Sequence, residues 1–164
     1  MKDKLIDRSQ LELIIGGLRE DNRKIVFTNG CFDLLHVGHV RYLTEAASLG
    51  DCLIVGLNSD QSVRRIKDPH RPLISQEQRA EVLAALECVD FVVLFDEPDP
   101  YALIEVIRPD ILVKGADWPL DKIIGADLVT AYGGEVVRIT MVPAISTTEI
   151  IHRIVARYGR CEKG

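Results

Sequence analysis

Five short runs of apolar, mostly β-branched residues recur along the chain, and amphipathic stretches separate them. The runs cover residues 25–28, 52–57, 91–94, 111–113 and 135–139. A run of this length that is apolar on both faces is typical of a strand buried in a parallel sheet, and strands that alternate with helices form βαβ units. Because the crossovers of such units are right-handed, the pattern predicts an α/β fold with a doubly wound sheet of five parallel strands.

Helix-start signals lie between these runs. Ser-Gln-Leu-Glu at 9–12 and Ser-Gln-Glu-Gln at 75–78 match the capping box, in which two side chains satisfy free amides at the start of a helix. We expect an N-terminal helix at 9–20 ahead of a core at about 22–155. The sequence contains no linker, repeat or low-complexity tract, so we predict a single domain over 1–164.

Composition narrows the class of protein. Apolar residues make up 47% and charged residues 27% of the 164 residues, with a formal net charge of -5. This is the balance of a soluble globular protein, and the acidic excess argues against a nucleic-acid partner, which requires a dense basic surface. The apolar runs are too short to cross a bilayer, and the first residues lack the apolar core of a signal peptide. We therefore expect a cytoplasmic protein with no membrane partner.

The four cysteines, Cys31, Cys52, Cys88 and Cys161, are widely spaced and form no Cys-x-x-Cys pair. Their spacing favours reduced thiols over a disulfide framework or a zinc ribbon. For Cys31, a small buried side chain is the preferred interpretation over a reactive thiol.

Four loop segments carry the unusual chemistry of the chain. Three of them follow the first, second and fourth predicted strands, at 29–39, 58–60 and 114–118, and the fourth reads Ile-Ser-Thr-Thr-Glu-Ile at 145–150. Ligands of doubly wound sheets bind at the carboxyl ends of the strands, where the strand order reverses. We therefore expect these segments to form one small-molecule site on a Rossmann-like sheet.

Two histidines lie in the first of these segments. His36 and His39 are three residues apart at the predicted start of a helix, so both imidazoles face the same side of its first turn. Gly30 and Gly38 allow the backbone to approach a ligand closely. The free amides and the positive dipole end of a helix start attract anions, so we expect a phosphate site here.

Two other interpretations of the histidines stay open at this point. They are capping or core side chains, or they are two ligands of a metal ion. A zinc site normally has three or four protein ligands, and no further His or Cys follows at a suitable spacing.

The motifs themselves resemble a known superfamily. Gly-Cys-Phe-Asp at 30–33, His-Val-Gly-His at 36–39 and Ile-Ser-Thr-Thr at 145–148 are similar to the motifs of the HxGH nucleotidyltransferases. The resemblance covers about residues 5–155. It implies that the chain joins the nucleoside monophosphate of an NTP to a phosphorylated small molecule and releases pyrophosphate.

Three further stretches resemble one branch of that superfamily, the D-glycero-β-D-manno-heptose 1-phosphate adenylyltransferases. They are Leu-Asn-Ser-Asp at 57–60, Arg-Pro-Leu-Ile-Ser-Gln-Glu-Gln-Arg at 71–79 and Val-Lys-Gly-Ala-Asp-Trp at 113–118. The branch makes ADP-heptose for lipopolysaccharide core synthesis, often as one half of a bifunctional protein whose other half is a sugar kinase. We expect the adenylyltransferase half alone in these 164 residues.

The resemblance also implies roles for individual residues. The triphosphate and its transition state are assigned to His36, His39, Lys67 and Arg79. The rest of the nucleotide is assigned to Asn29, Gly30, Cys31, Phe32, Gly38, Gly115, Asp117, Ser146, Thr147 and Thr148. The second substrate is assigned to Asp33, Asn58, Lys114 and Trp118.

Some of these side chains have an equally simple structural interpretation. Lys67 lies in the polar stretch 64–72, which is either a mobile cationic loop that closes over the reactants or a solvated loop. Arg79 is either a phosphate clamp or an exposed surface arginine, and Trp118 either contacts a ligand or only packs.

The implied substrates are ATP and heptose 1-phosphate, with Mg²⁺ held by phosphate oxygens and no metal ligands from the protein. The family also implies a homo-oligomer, a dimer. The attacking phosphate is already an anion, so positioning and electrostatic stabilisation would be the main contributions of the protein.

Two alternatives remain. The first is a cytidylyltransferase acting on glycerol 3-phosphate or a related alditol phosphate. Such enzymes carry Arg-Thr-Glu-Gly just before Ile-Ser-Thr-Thr, whereas this chain has Met-Val-Pro-Ala at 141–144, which disfavours CTP. The second is a nucleotide-binding sensor without catalysis, against which the intact motifs argue.

Overall fold

A computed structural model describes residues 2–140 and 145–159. All the strands of the described chain lie in one parallel sheet, in the order β1-β4-β3-β2-β5-β6. The strands are β1 (Leu5–Ile6), β2 (Ile25–Gly30), β3 (Cys52–Asn58), β4 (Phe91–Phe95), β5 (Ile111–Gly115) and β6 (Glu135–Ile139). The predicted α/β class, parallel sheet and single domain are confirmed. The predicted number of strands, five, is wrong, because a sixth strand of two residues pairs with β4 at the edge and is too short to leave a periodic signal.

Helices cover both faces of this sheet. They are α1 (Arg8–Glu20), α2 (Val37–Ala47), α3 (Asp60–Ile66), α4 (Gln76–Ala84), α5 (Tyr101–Ile107), α6 (Ala126–Ala131) and α7 (Thr147–Tyr158). Short 3-10 turns lie at Lys2–Lys4 and Leu120–Lys122. None of the helices in the described ranges 2–140 and 145–159 is long and apolar enough to cross a membrane.

Two hydrophobic cores, one on each face of the sheet, hold the helices. On one face, β2, β3 and β5 pack against Tyr42 and Leu43 of α2 and Leu83 of α4. The other face packs against α1, α5 and α6, through residues such as Leu11 and Ile104. Every residue of β3 is buried, as expected for a central parallel strand, and each large apolar side chain contributes about 1.5–3 kcal/mol.

Two helix starts differ from their predicted caps. The capping box of α1 is made by Asp7 and Gln10 rather than by the Ser-x-x-Glu pattern two residues later. Ser75 precedes α4 but makes no side-chain cap bond within the described residues, and the neighbouring Gln76 side chain accepts a hydrogen bond from the Asp60 amide. Both helices were still correctly predicted in place, since the apolar periodicity and not the cap decides where a helix packs.

The order of the strands fixes where a ligand can bind. From β2 the chain proceeds to β3 and β4 on one side, then returns to place β5 on the other side of β2. The strand order therefore reverses between β2 and β5, and the loops after β2, β3 and β5 open at the same edge of the sheet.

Candidate active site

A cleft of about 630 Å³ opens at this edge of the sheet. It is lined by all the predicted site residues except Gly38 and Arg79: Asn29, Gly30, Cys31, Phe32, Asp33, His36, His39, Asn58, Lys67, Lys114, Gly115, Asp117, Trp118, Ser146, Thr147 and Thr148. The structure thus brings together four segments that are far apart in the sequence.

The two histidines stack on each other at the start of α2. His36 is the residue that precedes the helix, and its ring centroid lies 3.8 Å from that of His39, with the planes 21° apart. The His36 side chain makes no capping hydrogen bond, and Nδ1 of both rings is buried without a hydrogen-bond partner among the described residues. The capping interpretation of His36 is therefore wrong. Buried polar atoms normally have a hydrogen-bond partner, so this pair of nitrogens distinguishes the start of α2 from an ordinary helix start.

Gly38 makes room for this arrangement from behind. A Cβ atom added there would lie 2.9 Å from both Cε1 and Nδ1 of His36 and 3.3 Å from Cγ2 of Ile145. The glycine itself does not line the cleft. A side chain at this position would therefore displace the His36 ring, and the contact with Ile145 shows that the starts of α2 and α7 lie side by side.

Phe32 supports the other histidine. Its ring meets that of His39 edge to face, with centroids 5.3 Å apart. The Phe32 backbone has a φ of 43°, a left-handed conformation that is uncommon for a bulky residue. The same ring would lie 3.0 Å from a Cβ added at Gly30, so the glycine is needed for this close approach.

Burial keeps both imidazoles uncharged. Desolvation lowers the pKa of His39 from 6.5 to about 4, and the nearby His36 contributes to this shift. Desolvation also lowers the pKa of His36. At neutral pH each ring is thus a neutral group with one donor and one acceptor.

Lys114, at the end of β5, brings a cation into the cleft from the next strand. Its Nζ donates a hydrogen bond to Oδ1 of Asn29 at the end of β2. Desolvation lowers the pKa of Lys114 to about 8, from 10.5. A partly buried lysine that has one neutral partner is incompletely solvated, so a bound anion would stabilise its charged form.

The start of α7 forms another part of the cleft lining. Ser146 precedes the helix, and its hydroxyl accepts a hydrogen bond from the Glu149 amide. Thr147 and Thr148 follow in the first turn and line the cleft. Since α2 begins beside this point, the positive dipole ends of two helices face the same volume.

Asp117 and Trp118 lie just beyond β5, and both line the cleft. The Trp118 side chain is half exposed. An indole in this position offers a ring face to a flat ligand, and an exposed carboxylate can accept hydrogen bonds from hydroxyl groups.

Arg79 does not lie where it was predicted. Its side chain is fully buried behind the cleft wall, where it donates to the carbonyl oxygens of Ile74 and Cys31 and to the Asp60 carboxylate. Both sequence-based interpretations of Arg79, a clamp in contact with phosphate and an exposed surface arginine, disagree with this placement. The backbone oxygens that hold the guanidinium cannot be recognised from sequence.

Asp33 borders the cleft, but its carboxylate is already engaged by the protein. It accepts hydrogen bonds from Nε of Arg71 at 2.6 Å and from the amides of Leu73 and Ile74 at 2.9 and 3.0 Å. Its side chain has no exposed surface. The predicted contact with a second substrate is therefore not supported by the geometry.

Several cleft residues were missed by sequence reasoning, above all Arg71, Asp99 and Lys122. Arg71 belongs to the same polar stretch, 64–72, as Lys67, so the prediction made for Lys67 could have been extended to Arg71. Asp99 and Lys122 follow no motif and reach the cleft only through the fold.

The Met-Val-Pro-Ala stretch at 141–144 and Cys161 lie outside the described residues. Within the described residues, no group of three or more His, Cys, Asp or Glu side chains is arranged to hold a metal ion.

Comparison with known proteins agrees with the motifs. Residues 27–153 match the family model described as cytidylyltransferase-like. The chain is 56% identical over 151 residues to the bifunctional protein HldE of Syntrophotalea carbinolica and 55% identical over 146 residues to that of Geobacter sulfurreducens. These matches cover 92% and 89% of this chain but only 31% and 30% of the relatives, so the chain spans less than a third of their length.

Solved structures show the same fold. The crystal structure of the lipopolysaccharide core biosynthesis protein from Thermoplasma volcanium has a TM-score of 0.62 and 30% identity, covering 73% of this chain and 98% of that one. The pantoate-beta-alanine ligase from Francisella tularensis, solved with Beta-gamma ATP and beta-alanine, has a TM-score of 0.62 at 19% identity, covering 93% of this chain and 77% of that one, a likeness of fold alone.

Proposed function

The chain belongs to the cytidylyltransferase-like family, and we propose that it is an adenylyltransferase that transfers AMP from ATP to D-glycero-β-D-manno-heptose 1-phosphate, giving ADP-heptose and pyrophosphate. One observation carries the proposal: the stacked rings of His36 and His39 line a cleft where two helix starts also lie.

The charges around the cleft suit a triphosphate. Four cations line it together with the two imidazoles, namely Lys67, Arg71, Lys114 and Lys122, although the chain as a whole has a net charge of -5. Four aspartates also belong to the lining, and one of them, Asp33, is paired with Arg71. A phosphate oxygen of the sugar attacks the α-phosphorus in line, and pyrophosphate leaves with the electrons of the broken P–O bond. The attacking group is already an anion, so the protein has to position two anions and disperse the charge that builds up.

His36 and His39 serve as hydrogen-bond donors to phosphate oxygens in this scheme. Binding of an anion reverses the effect of burial and favours the imidazolium form, which strengthens these contacts. Ser146, Thr147 and the free amides of α7 hold the leaving pyrophosphate.

The adenosine part of ATP is assigned to the β5 side of the cleft. Asp117 accepts a hydrogen bond from a ribose hydroxyl. Trp118, which the resemblance assigns to the second substrate, lies beside Asp117 after β5, and we reassign it here to the base. The sugar phosphate then occupies the side lined by Asn58 and Asp99, after β3 and β4. A cleft of about 630 Å³ is within the usual range for small-molecule sites.

Mg²⁺ enters the proposal as part of the ATP complex. It would neutralise phosphate charge, with phosphate oxygens and water as its ligands. This fits the described residues, among which no group of three or more His, Cys, Asp or Glu side chains is arranged to hold a metal ion, and Asp33 is already engaged by protein donors.

The donor and acceptor are supported by the resemblance at 57–60, 71–79 and 113–118, and by the 56% identity to a relative named bifunctional protein HldE. The similar structure from Thermoplasma volcanium is named as a lipopolysaccharide core biosynthesis protein. A cytoplasmic location and a dimeric state also remain parts of the proposal, and light scattering on the purified chain tests the latter.

Pyrophosphate release tests the function. Purified protein is supplied with Mg²⁺ and either ATP or CTP, with and without heptose 1-phosphate. We expect release only with ATP and the sugar phosphate together. Turnover of CTP with glycerol 3-phosphate, and none with ATP, would establish the cytidylyltransferase alternative instead.

Variants of two histidines make the test specific to the site. His39→Ala should lose at least 100-fold in turnover while the protein remains folded, as expected for loss of a transition-state contact. His152→Ala is the matched control, because His152 is an exposed histidine of α7 outside the cleft lining. If the protein bound a nucleotide but turned over none of the substrates, the alternative of a non-catalytic nucleotide-binding sensor would be supported.

A further inference from the structure

The segment that carries Lys67 and Arg71 has little regular structure. It runs from the end of α3 at Ile66 to the start of α4 at Gln76. Lys67 is exposed and lines the cleft, so its cation is only as well placed as the backbone beneath it. An irregular loop is normally the most mobile part of a fold.

Asp33 ties this segment to the loop of the histidines. One carboxylate oxygen, Oδ2, accepts from Arg71 Nε at 2.6 Å and from the Leu73 amide at 3.0 Å. The other, Oδ1, accepts from the amides of Leu73 and Ile74 at 2.9 and 3.0 Å. Charge-assisted hydrogen bonds of this kind are about twice as strong as neutral ones, and the buried setting adds to the cost of breaking them.

Arg79 ties the same two segments together a second time. Its Nε donates to the Ile74 carbonyl at 2.9 Å, and its Nη1 donates to the carbonyl of Cys31, two residues before Asp33. The remaining nitrogen, Nη2, donates to Oδ1 of Asp60 at the start of α3, at 2.7 Å. A planar guanidinium can serve three acceptors in fixed directions, which an ammonium group cannot.

We propose that Asp33 and Arg79 are positioning residues, which fix the cation-bearing segment 67–74 against the histidine loop and do not themselves contact substrate. The proposal rests on the proposed function only in taking ATP as the ligand. It assigns to Asp33 a role different from a contact with the sugar, and to Arg79 a role different from a clamp on phosphate.

The geometry explains why two ties are needed. Asp33 accepts a hydrogen bond from Nε of Arg71, whose side chain is only 14% exposed. Arg79 holds the backbone at Ile74, next to the two amides bound by Asp33. We therefore expect that the loss of either set of hydrogen bonds frees the segment 67–74 at one of its two attachments and leaves His36 and His39 in place.

Amide hydrogen exchange tests the ties directly in the full chain. We expect the amides of Leu73 and Ile74 to be protected in the wild type, and to exchange at least 10-fold faster in Asp33→Asn. Asp110→Asn is the matched control, because Asp110 accepts from a single amide, that of Ile25, at the other end of β2. Unchanged exchange at Leu73 and Ile74 in Asp33→Asn would overturn the proposal.

ATP affinity then tests whether the ties act through the cations. The single tryptophan, Trp118, lines the cleft and supplies a fluorescence signal for binding. Asp33→Asn should weaken ATP binding about 10-fold in the wild-type background. In a Lys67→Ala/Arg71→Gln background the same substitution should change affinity less than about 3-fold, since the groups that it positions are already absent. An equal effect in both backgrounds would show that Asp33 acts on the ligand independently, and would refute the proposal.

Arg79→Lys provides the second variant. It retains the charge but reaches fewer acceptors, so we expect faster exchange at Ile74 and weaker ATP binding in a protein that still melts cooperatively. If Arg79→Lys binds ATP as the wild type does, Arg79 has no positioning role. If the wild-type protein binds ATP but transfers nothing to heptose 1-phosphate, the proposed function is refuted. The exchange and ATP-binding experiments would still test the positioning roles of Asp33 and Arg79.

Discussion

His36 and His39 stack face to face at the start of α2, with ring centroids 3.8 Å apart, and their Nδ1 atoms have no hydrogen-bond partner within residues 2–140 and 145–159. A protein gains little by burying two unsatisfied nitrogens side by side, since each costs about 1–3 kcal/mol. The two rings line the cleft in this fixed arrangement, so an anion bound there would meet groups that are already held in place and lose little entropy on binding.

Gly38→Ala should displace His36. The added Cβ would lie 2.9 Å from two atoms of its ring, so the ring has to turn away. We expect at least a 10-fold loss of turnover, because small misplacements of reacting groups can cost about 100-fold. The melting temperature should change little, since alanine improves helix propensity by up to about 1 kcal/mol and offsets part of the clash.

Gly17→Ala in α1 is the matched control for that variant. A Cβ at this helical glycine would meet no atom of residues 2–140 and 145–159 within 4 Å beyond its own helix backbone and chain neighbours. The control should keep full turnover with equal or higher stability. If Gly38→Ala were as active as Gly17→Ala, the spacing of the two rings would be unimportant for the reaction.

The sequence predicted the sheet well because each central strand is buried on both faces and reads as a continuous apolar run. The pattern at 52–57 became β3, extended by one residue. Leu5–Ile6 escaped prediction because a two-residue edge strand depends on the register of its neighbour Val92, a tertiary feature. Position along strands was therefore predictable, whereas pairing at the edge was not.

The site was predictable as far as it follows from motifs and strand ends. His36, Lys114 and Ser146 reach the cleft because their loops leave the same edge of the sheet. Asp33 and Arg79 have the residue types of substrate ligands, and only the structure reveals that backbone amides and carbonyls occupy them. Backbone partners leave no mark in a sequence, so this part of the site could not be predicted.

Lys114→Met should separate stability from binding. Burial lowers the pKa of Lys114 to about 8, which means that the fold disfavours its charged form. We expect the variant to melt at the same or a higher temperature than the wild type, with ATP affinity reduced at least 10-fold, about 1.4 kcal/mol. Calorimetry and Trp118 fluorescence measure the two quantities, and a large drop in melting temperature would contradict this account.

Cys31→Ser should retain turnover within about 3-fold, less than 1 kcal/mol of barrier. Burial raises the pKa of the Cys31 thiol, so little thiolate exists at neutral pH, and attack by the sugar phosphate needs no protein nucleophile. The backbone carbonyl that Arg79 binds is retained in the variant. A loss of turnover beyond about 100-fold with normal ATP binding would instead give the thiol a chemical role.

His39 should make stability depend on pH in a defined window. In the unfolded chain the pKa of His39 is 6.5, whereas in the folded protein it is about 4. The contribution is therefore complete above 6.5 and is lost as the pH falls towards 4, by at most about 3 kcal/mol. In urea unfolding, the loss of stability from neutral pH to about pH 5 should be smaller for His39→Asn than for the wild type. Equal losses would mean that His39 is not desolvated.

ATP binding should be accompanied by proton uptake. The free protein holds the pKa of His36 and His39 below 6.5 by desolvation, and a bound polyphosphate raises both because it stabilises the imidazolium form. A ligand whose binding raises a pKa binds more tightly as the pH falls through the bound-state value. Calorimetry near pH 6 in buffers of different ionisation enthalpy should therefore show net uptake in the wild type. The uptake should vanish in the His36→Asn/His39→Asn double variant, and persistence there would assign the protons to other groups of the cleft.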